Sequence, residues 1–69
     1  MPKVGQIYQY RNNETMVVTY VDETNVHVVF TDGYVIQFDD EYRLPACKLL
    51  AEYSTWQEAV NAPEFTDKQ

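Results

Sequence analysis

Apolar and polar positions alternate through the first half of the chain, and this pattern predicts four β-strands. Their expected extents are residues 5–11, 15–21, 25–31 and 34–38. The second predicted strand is apolar on both faces in its middle, which is typical of a central strand. On the third, Val26, Val28 and Phe30 share one face, and we expect this face to line the core.

Short polar segments separate these strands and predict tight turns. Asn12 and Asn13 mark the first turn and residues 22–25 the second. Asp32-Gly33 marks the third, where glycine accepts the positive φ of a hairpin turn. Strands joined in this way form an antiparallel meander, which curls because strands twist and sheet edges need cover. The expected fold class is mainly β: a small curled antiparallel sheet or partly open barrel of four to five strands, with short C-terminal helical elements.

The pattern changes after residue 38, where all three leucines and all four alanines lie. Pro45 suits the first turn of a helix and cannot occupy a central strand. Apolar side chains then recur at helical spacing, at Ala46, Cys47, Leu49, Leu50 and Tyr53. A helix across residues 47–53 is therefore favoured, and a fifth strand is the alternative.

A second helical segment is marked more clearly near the C-terminus. Its cap is Ser54 or Thr55, followed three residues later by Gln57 or Glu58. Its apolar stripe consists of Trp56, Ala59 and Val60. We expect Asn61 and Pro63 to end this segment.

Length and residue usage indicate a single domain over residues 1–69, with a core over 3–44, a helical cover over 45–65 and a frayed tail over 66–69. A chain this short has a small core, so packing or self-association must supply its stability. The lone cysteine, Cys47, excludes an internal disulfide, and a single histidine without a C-x-x-C motif argues against zinc. We therefore expect no metal and no cofactor.

The charge balance is acidic, with eleven Asp and Glu against five Lys and Arg and a net charge of −6. Nucleic-acid binders carry a basic patch that neutralises phosphates, whereas the basic residues here are scattered singly. A protein partner with a basic surface is therefore favoured over nucleic acid or an anionic membrane. The alternative is that the acidity only keeps a small protein soluble.

The N-terminal residues carry no sign of export. Residues 1–4 lack the apolar stretch of a signal peptide, and no apolar run approaches the roughly 20 residues of a membrane span. Since a lone cysteine also needs no oxidising environment, the cytoplasm is the expected compartment.

Two stretches of the meander resemble a known class of small barrels. They are Lys3-Val4-Gly5-Gln6-Ile7-Tyr8 and Val28-Val29-Phe30-Thr31-Asp32-Gly33-Tyr34. Together they resemble Tudor and other Src-homology-3-type domains, which often open with Val-Gly-x-x-Tyr/Cys and carry an aromatic, a turn and an aromatic in the third hairpin. The chain also looks like small uncharacterised barrel proteins that phages encode, which would place it in a host cytoplasm. The resemblance covers about residues 3–44.

The resemblance to Tudor domains implies an aromatic cage that holds methylated Arg or Lys through cation–π contact. Phe30 and Tyr34 would form two of its walls and Tyr10 a third. Thr15 and Met16 stand where such a cage expects an aromatic residue near the start of strand two. The alternative is that Phe30 belongs to the core and that Tyr34 shields the hairpin or contacts a partner.

Two further features are candidates for contact with a partner. Asp39-Asp40-Glu41 forms either an acidic contact patch or a solvated turn, and three adjacent acids cannot all converge on one metal ion. Trp56 either anchors an interface or packs its helix across an open end of the barrel.

Catalytic side chains do not combine in any arrangement that the spacing supports. His27 lies on a strand surface without a spaced nucleophile or orienting acid, and two glycines cannot build a phosphate-binding loop. We therefore predict a non-enzymatic, acidic protein-interaction module, such as a phage accessory protein or inhibitor that binds a host protein. Two alternatives stay open: an acidic nucleic-acid mimic that blocks a DNA-binding protein, and a structural homo-oligomer.

Overall fold

The computed structural model describes residues 2–10, 14–38 and 47–66. Over these residues the chain forms five strands and two short helices: β1 Gln6–Gln9, β2 Thr15–Val21, β3 Val26–Phe30, β4 Val35–Phe38, β5 Lys48–Glu52, α1 Trp56–Val60 and α2 Pro63–Thr66. All strand pairs are antiparallel, and the sheet has the order β4-β3-β2-β1-β5. Within the described ranges this sheet is not closed into a barrel.

The predicted meander is confirmed. The four strands lie within the ranges expected from the alternation, and β2 has the predicted bounds, 15–21. β2 is also central, because β1 and β3 flank it. Its residues Met16, Val17 and Val18 are fully buried although they alternate between the two faces, so the sheet has a core on both sides.

One face of the sheet, which we call the Phe30 face, is lined by strand residues: Tyr8, Met16, Val18, Val26, Val28 and Phe30. The opposite face, which we call the helix face, packs Ile7 and Val17 against side chains of the helical segment: Ala59, Ala62 and Phe65. The C-terminal residues therefore cover β1 and β2 on one side of the sheet. This is the cover that the sequence predicted, but it lies on a face rather than across the end of a barrel.

The helix favoured over residues 47–53 is wrong, because this segment forms β5 and pairs with β1. A bulge explains why its apolar pattern did not look like a strand. Ile7 pairs with Ala51 and Tyr8 with Leu49, so Leu50 is an extra residue in the ladder. Leu50 and Ala51 therefore both pack toward the helix face, which breaks the period of two. Pairing also satisfies the backbone groups of β1, which a separate short helix would leave open.

The predicted N-cap of α1 is confirmed at Thr55. Its Oγ1 accepts a hydrogen bond from the backbone N–H of Glu58 at 3.2 Å, and its hydroxyl donates to Glu58 Oε1 at 3.2 Å. The predicted end of this helix is also confirmed, since α1 stops at Val60 with Asn61 as its C-cap. A second helix, α2, was not predicted; it begins at Pro63, because proline suits the first helical position. Thr66, expected in the frayed tail, belongs to α2 and donates its hydroxyl to Ala62 O at 3.1 Å. Residues 67–69 lie outside the described residues.

Thr15 is a buried polar residue whose hydroxyl lacks a hydrogen-bond partner among the described residues. It is 1% exposed, and its Oγ1 is enclosed by the protein. We expect Thr15→Val to raise the free energy of unfolding by about 1 kcal/mol, because valine has the same shape and needs no partner. Urea titration followed by circular dichroism measures the change.

Thr19→Val is the matched control for this substitution. The Thr19 hydroxyl donates to His27 O at 3.3 Å, so its removal deletes a bond rather than an unpaired group. This variant should be no more stable than the natural chain. A Thr15→Val protein that unfolds at a lower urea concentration than the natural chain would contradict the interpretation.

Candidate functional site

The hairpin between β3 and β4 is fixed by its own backbone. Phe30 N–H donates to Tyr34 O at 2.8 Å, and Gly33 N–H donates to Phe30 O at 2.9 Å. Gly33 has a φ of 89°, which a residue with a side chain rarely adopts. The turn predicted at Asp32-Gly33 is therefore confirmed, and it holds the following residue in a defined position.

Tyr34 stands directly after this turn with 65% of its surface exposed. Its backbone N–H donates to Asp32 Oδ1 at 2.9 Å, and Asp32 is itself exposed. The turn thus presents a large aromatic ring beside a carboxylate on a backbone that is already ordered. Such a residue can contact a partner without a large loss of conformational entropy.

Phe30 lies in the core, as the alternative to the cage predicted. It is 8% exposed and belongs to the buried cluster of the Phe30 face. Tyr10 packs against it edge to face, with ring centroids 6.2 Å apart. The pairing of Phe30 with Tyr34 across the hairpin places all three aromatics on one side of the sheet. A cation–π wall needs an accessible ring face, however, and the burial of Phe30 leaves little of its ring accessible.

The other predicted contact residues are not gathered at this hairpin. Trp56 begins α1 and is 39% exposed, but α1 packs over β1 and β2, whereas β4 lies at the far edge beyond β3. The acidic run Asp39-Asp40-Glu41 lies outside the described residues. Within the described ranges, Tyr34 is therefore the accessible candidate at this hairpin, and Phe30, its backbone partner, lies in the core.

Two further residues, one on β4 and one on β2, were not predicted to be exposed. Val35 is 62% exposed and Tyr20 is 52% exposed. Both lie on the helix face, where the ring of Tyr20 packs edge to face on His27 at 5.1 Å. The pattern gave no signal for Tyr20, because a bulge between Val18 and Tyr20 shifts its register. The pattern gave no signal for Val35 either, because its exposure depends on where the helices end.

The carboxylate of Asp22 in the β2–β3 turn accepts two backbone hydrogen bonds. Asp22 Oδ1 accepts the N–H of Thr24 at 2.9 Å and that of Asn25 at 2.7 Å. These bonds hold the pKa of Asp22 below its ordinary value. A lowered pKa in the folded state contributes stability above the unfolded pKa, and this contribution is lost as pH falls through the folded value. Asp22 is therefore charged throughout the neutral range.

A shallow open groove of about 490 Å³ lies along the helical segment. Its lining consists of Tyr53, Gln57, Glu58, Asn61, Ala62 and Pro63. Beside it, the hydroxyl of Tyr53 donates to Glu64 Oε1 at 2.6 Å. This bond raises the pKa of Tyr53 and lowers that of Glu64, so both keep their neutral-pH charge states. The bond ties the end of β5 to α2, which is a structural role.

Comparison of the chain with protein-family models, curated proteins and solved structures finds no match. In the part of the chain that the structure describes, no helix is long and apolar enough to cross a membrane. The same residues contain no group of three or more His, Cys, Asp or Glu that could hold a metal ion. The interpretation of this surface therefore depends on its own geometry and charge.

Proposed function

We propose that this domain is a non-enzymatic protein-interaction module that binds a partner with a basic surface. The observation that carries the proposal is the hairpin turn, where Tyr34 is 65% exposed beside the exposed carboxylate of Asp32 on an ordered backbone. Tyrosine is enriched at interfaces because one ring supplies a large contact area and a hydroxyl. The neighbouring carboxylate suits a Lys or Arg of the partner.

The charge of the whole chain supports the same proposal. Its net charge is −6, and acids occupy exposed turn positions at Asp22, Glu23 and Asp32. Complementary charge speeds encounter with a basic protein and disfavours acidic ones. Salt must therefore weaken the association, because it screens charges that stay partly in water.

The nucleic-acid mimic is less well supported by the described residues. A mimic needs carboxylates spaced along one face like phosphates, whereas Asp22, Glu23 and Asp32 sit in turns at opposite ends of β3. Two exposed residues of β4, Val35 and Gln37, are uncharged. An exposed aromatic ring beside a single carboxylate, as at Tyr34 and Asp32, is typical of a protein contact rather than of a row of phosphates.

Capture of a partner from a lysate of the source cells tests the proposal. Immobilised protein is expected to retain a basic protein at about 0.1 M salt and to release it at about 1 M, where the Debye length falls from roughly 10 to 3 Å. Tyr34→Ala is expected to lower the affinity for that protein by about thirtyfold, as for a central interface tyrosine.

Tyr20→Ala is the matched control for the hairpin contact. Tyr20 is 52% exposed and lies on the other face of the sheet, so its loss should leave the affinity unchanged within about twofold. The proposed function would be contradicted if the amount of captured partner changed neither with salt concentration nor with Tyr34→Ala. Circular dichroism of both variants checks that the fold is intact.

A further inference from the structure

β4 is an edge strand whose outer side is open within the described residues. It pairs with β3 and ends the strand order, and the hydrogen-bonding pattern shows which of its groups face outward. Phe30 and Tyr34 form a hydrogen-bonded pair, and in an antiparallel ladder such pairs alternate with pairs that are not hydrogen-bonded. The backbone groups of Ile36 therefore face β3, whereas those of Val35 and Gln37 face away from the sheet.

Within the residues that the structure describes, two N–H and two C=O groups thus form an unpaired row, and the side chains beside this row are accessible. Val35 is 62% exposed and Gln37 is also exposed. Neither residue has a further hydrogen bond or ion pair within the described ranges. A strand of another chain can therefore approach Val35 and Gln37 closely and pair with their backbone groups.

The other edge of the sheet, β5, shows the features that prevent such pairing. Charged residues stand at both of its ends, Lys48 and Glu52, and both are exposed. A bulge at Leu50 also interrupts its ladder with β1. Proteins protect edge strands with charges and bulges of this kind, and β4 has neither a charged residue nor a bulge in its sequence Val-Ile-Gln-Phe.

Charge determines which occupant suits the open edge. Asp32 lies in the turn that precedes β4, and Asp22 and Glu23 lie in the turn next to Val26, which pairs with Phe38 at the other end of β4. Acids therefore flank the edge at both ends. A second copy of the chain would bring a further net charge of −6 against them, so its association is opposed by like-charge repulsion. A strand with basic ends is attracted.

We propose that β4 is a docking edge for an extended segment of the partner, which adds to the sheet as a sixth strand. This inference rests on the proposed function and specifies the mode of contact. The segment spans about four residues, or roughly 13 Å, to match β4. It carries an apolar residue beside Val35 and a Lys or Arg near each end, and its backbone pairs with the N–H and C=O groups of Val35 and Gln37.

Synthetic peptides test the strand addition directly. The probe is the acetylated and amidated peptide Lys-Arg-Thr-Val-Thr-Val-Arg-Lys, compared with a form that has Glu in place of Lys and Arg, and with a form N-methylated at alternate backbone nitrogens. Titration into ¹⁵N-labelled protein is followed by amide hydrogen exchange. The basic peptide should slow exchange at Val35 and Gln37 by about tenfold at saturation, because hydrogen-bonded amides are protected. The other two peptides should leave it unchanged.

Variants of the edge provide an independent arm. Val35→Pro removes an outward N–H without breaking a bond to β3, and Gln37→Pro does the same at the second position. Each proline variant should lower the affinity for the basic peptide at least tenfold. Val35→Thr keeps the N–H, and its affinity for the peptide should stay within about threefold of that of the natural chain. If a proline variant does not fold, the N-methylated peptide still decides the question.

Three results would overturn the inference. The first is binding of the basic peptide that leaves exchange at Val35 and Gln37 unchanged, which refutes strand addition but leaves a basic partner for the domain. The second is no binding of the basic peptide at millimolar concentration, which rejects strand addition at β4. The proposed function is decided separately, by the salt dependence of partner capture. The third is protection of both amides that grows with protein concentration alone, which would make a second copy the occupant.

Discussion

Replacing Gly5 by alanine is expected to leave the domain largely unfolded at room temperature. Gly5 has a φ of +95°, and a Cβ built on it would overlap the backbone O of Tyr53. A backbone atom cannot move aside as a flexible side chain does. The left-handed conformation costs a non-glycine residue about 1–3 kcal/mol, and the overlap adds a similar amount. A domain of this size has roughly 3–5 kcal/mol in total.

The position of Gly5 in the sheet makes this strain hard to relieve. Its N–H donates to Val18 O at 2.9 Å, and its C=O accepts the N–H of Tyr53 at 3.0 Å. Gly5 therefore joins the start of β1 to β2 and to the end of β5 at once. Any shift that separates the new methyl group from Tyr53 would lengthen the bond that attaches β5.

Gly33→Ala separates the cost of a positive φ from the cost of the overlap with Tyr53. Gly33 also has a positive φ, +89°, but nothing lies within 4 Å of a Cβ built there. Its substitution should cost about 1 kcal/mol through backbone strain alone, and the protein should stay folded. Urea titration of both variants by far-ultraviolet circular dichroism measures the difference. A Gly5→Ala protein as stable as Gly33→Ala would show that the approach of Tyr53 is not a constraint.

The strands of the first half could be predicted because their determinants are local. β-branched residues are enriched in β2 and β3, and the turns carry Asp22 and Asp32-Gly33 at the positions that turn chemistry needs. β5 could not be predicted in this way. The same apolar residues fit a helix and a bulged strand, and the choice is made by pairing with Gln6–Gln9, which lie 39 to 46 residues away along the chain.

In the candidate site, too, the features set by local sequence could be predicted and those set by the tertiary fold could not. Tyr34 could be predicted as accessible because it follows a turn, and Phe30 as core because it continues the face of Val26 and Val28. The exposure of Val35 could not be predicted. It depends on the sheet order, which places β4 at an edge, and on the helices, which cover β1 and β2 and stop short of β4.

Phe65→Ala is expected to detach the helical cover and unfold most of the molecules. Phe65 is 5% exposed and packs in one cluster with Ile7 and Val17 of the sheet. α2 has four residues, Pro63–Thr66, and a helix this short is not stable in water without such packing. Truncation of a buried phenylalanine costs about 3–5 kcal/mol, which equals the roughly 3–5 kcal/mol available to a core of this size.

Trp56→Ala is the control that makes this prediction specific. Trp56 is the larger side chain and was a candidate to hold the helices on the sheet, but it is 39% exposed. Its loss should cost less than half as much as the loss of Phe65, because much of its surface already contacts water. Urea midpoints of the two variants and of the natural chain measure both effects. Both substitutions remove an aromatic ring from the helical cover, so their losses of stability can be compared directly. A larger loss from Trp56→Ala than from Phe65→Ala would show that Trp56 of α1, rather than Phe65 of α2, holds the cover on the sheet.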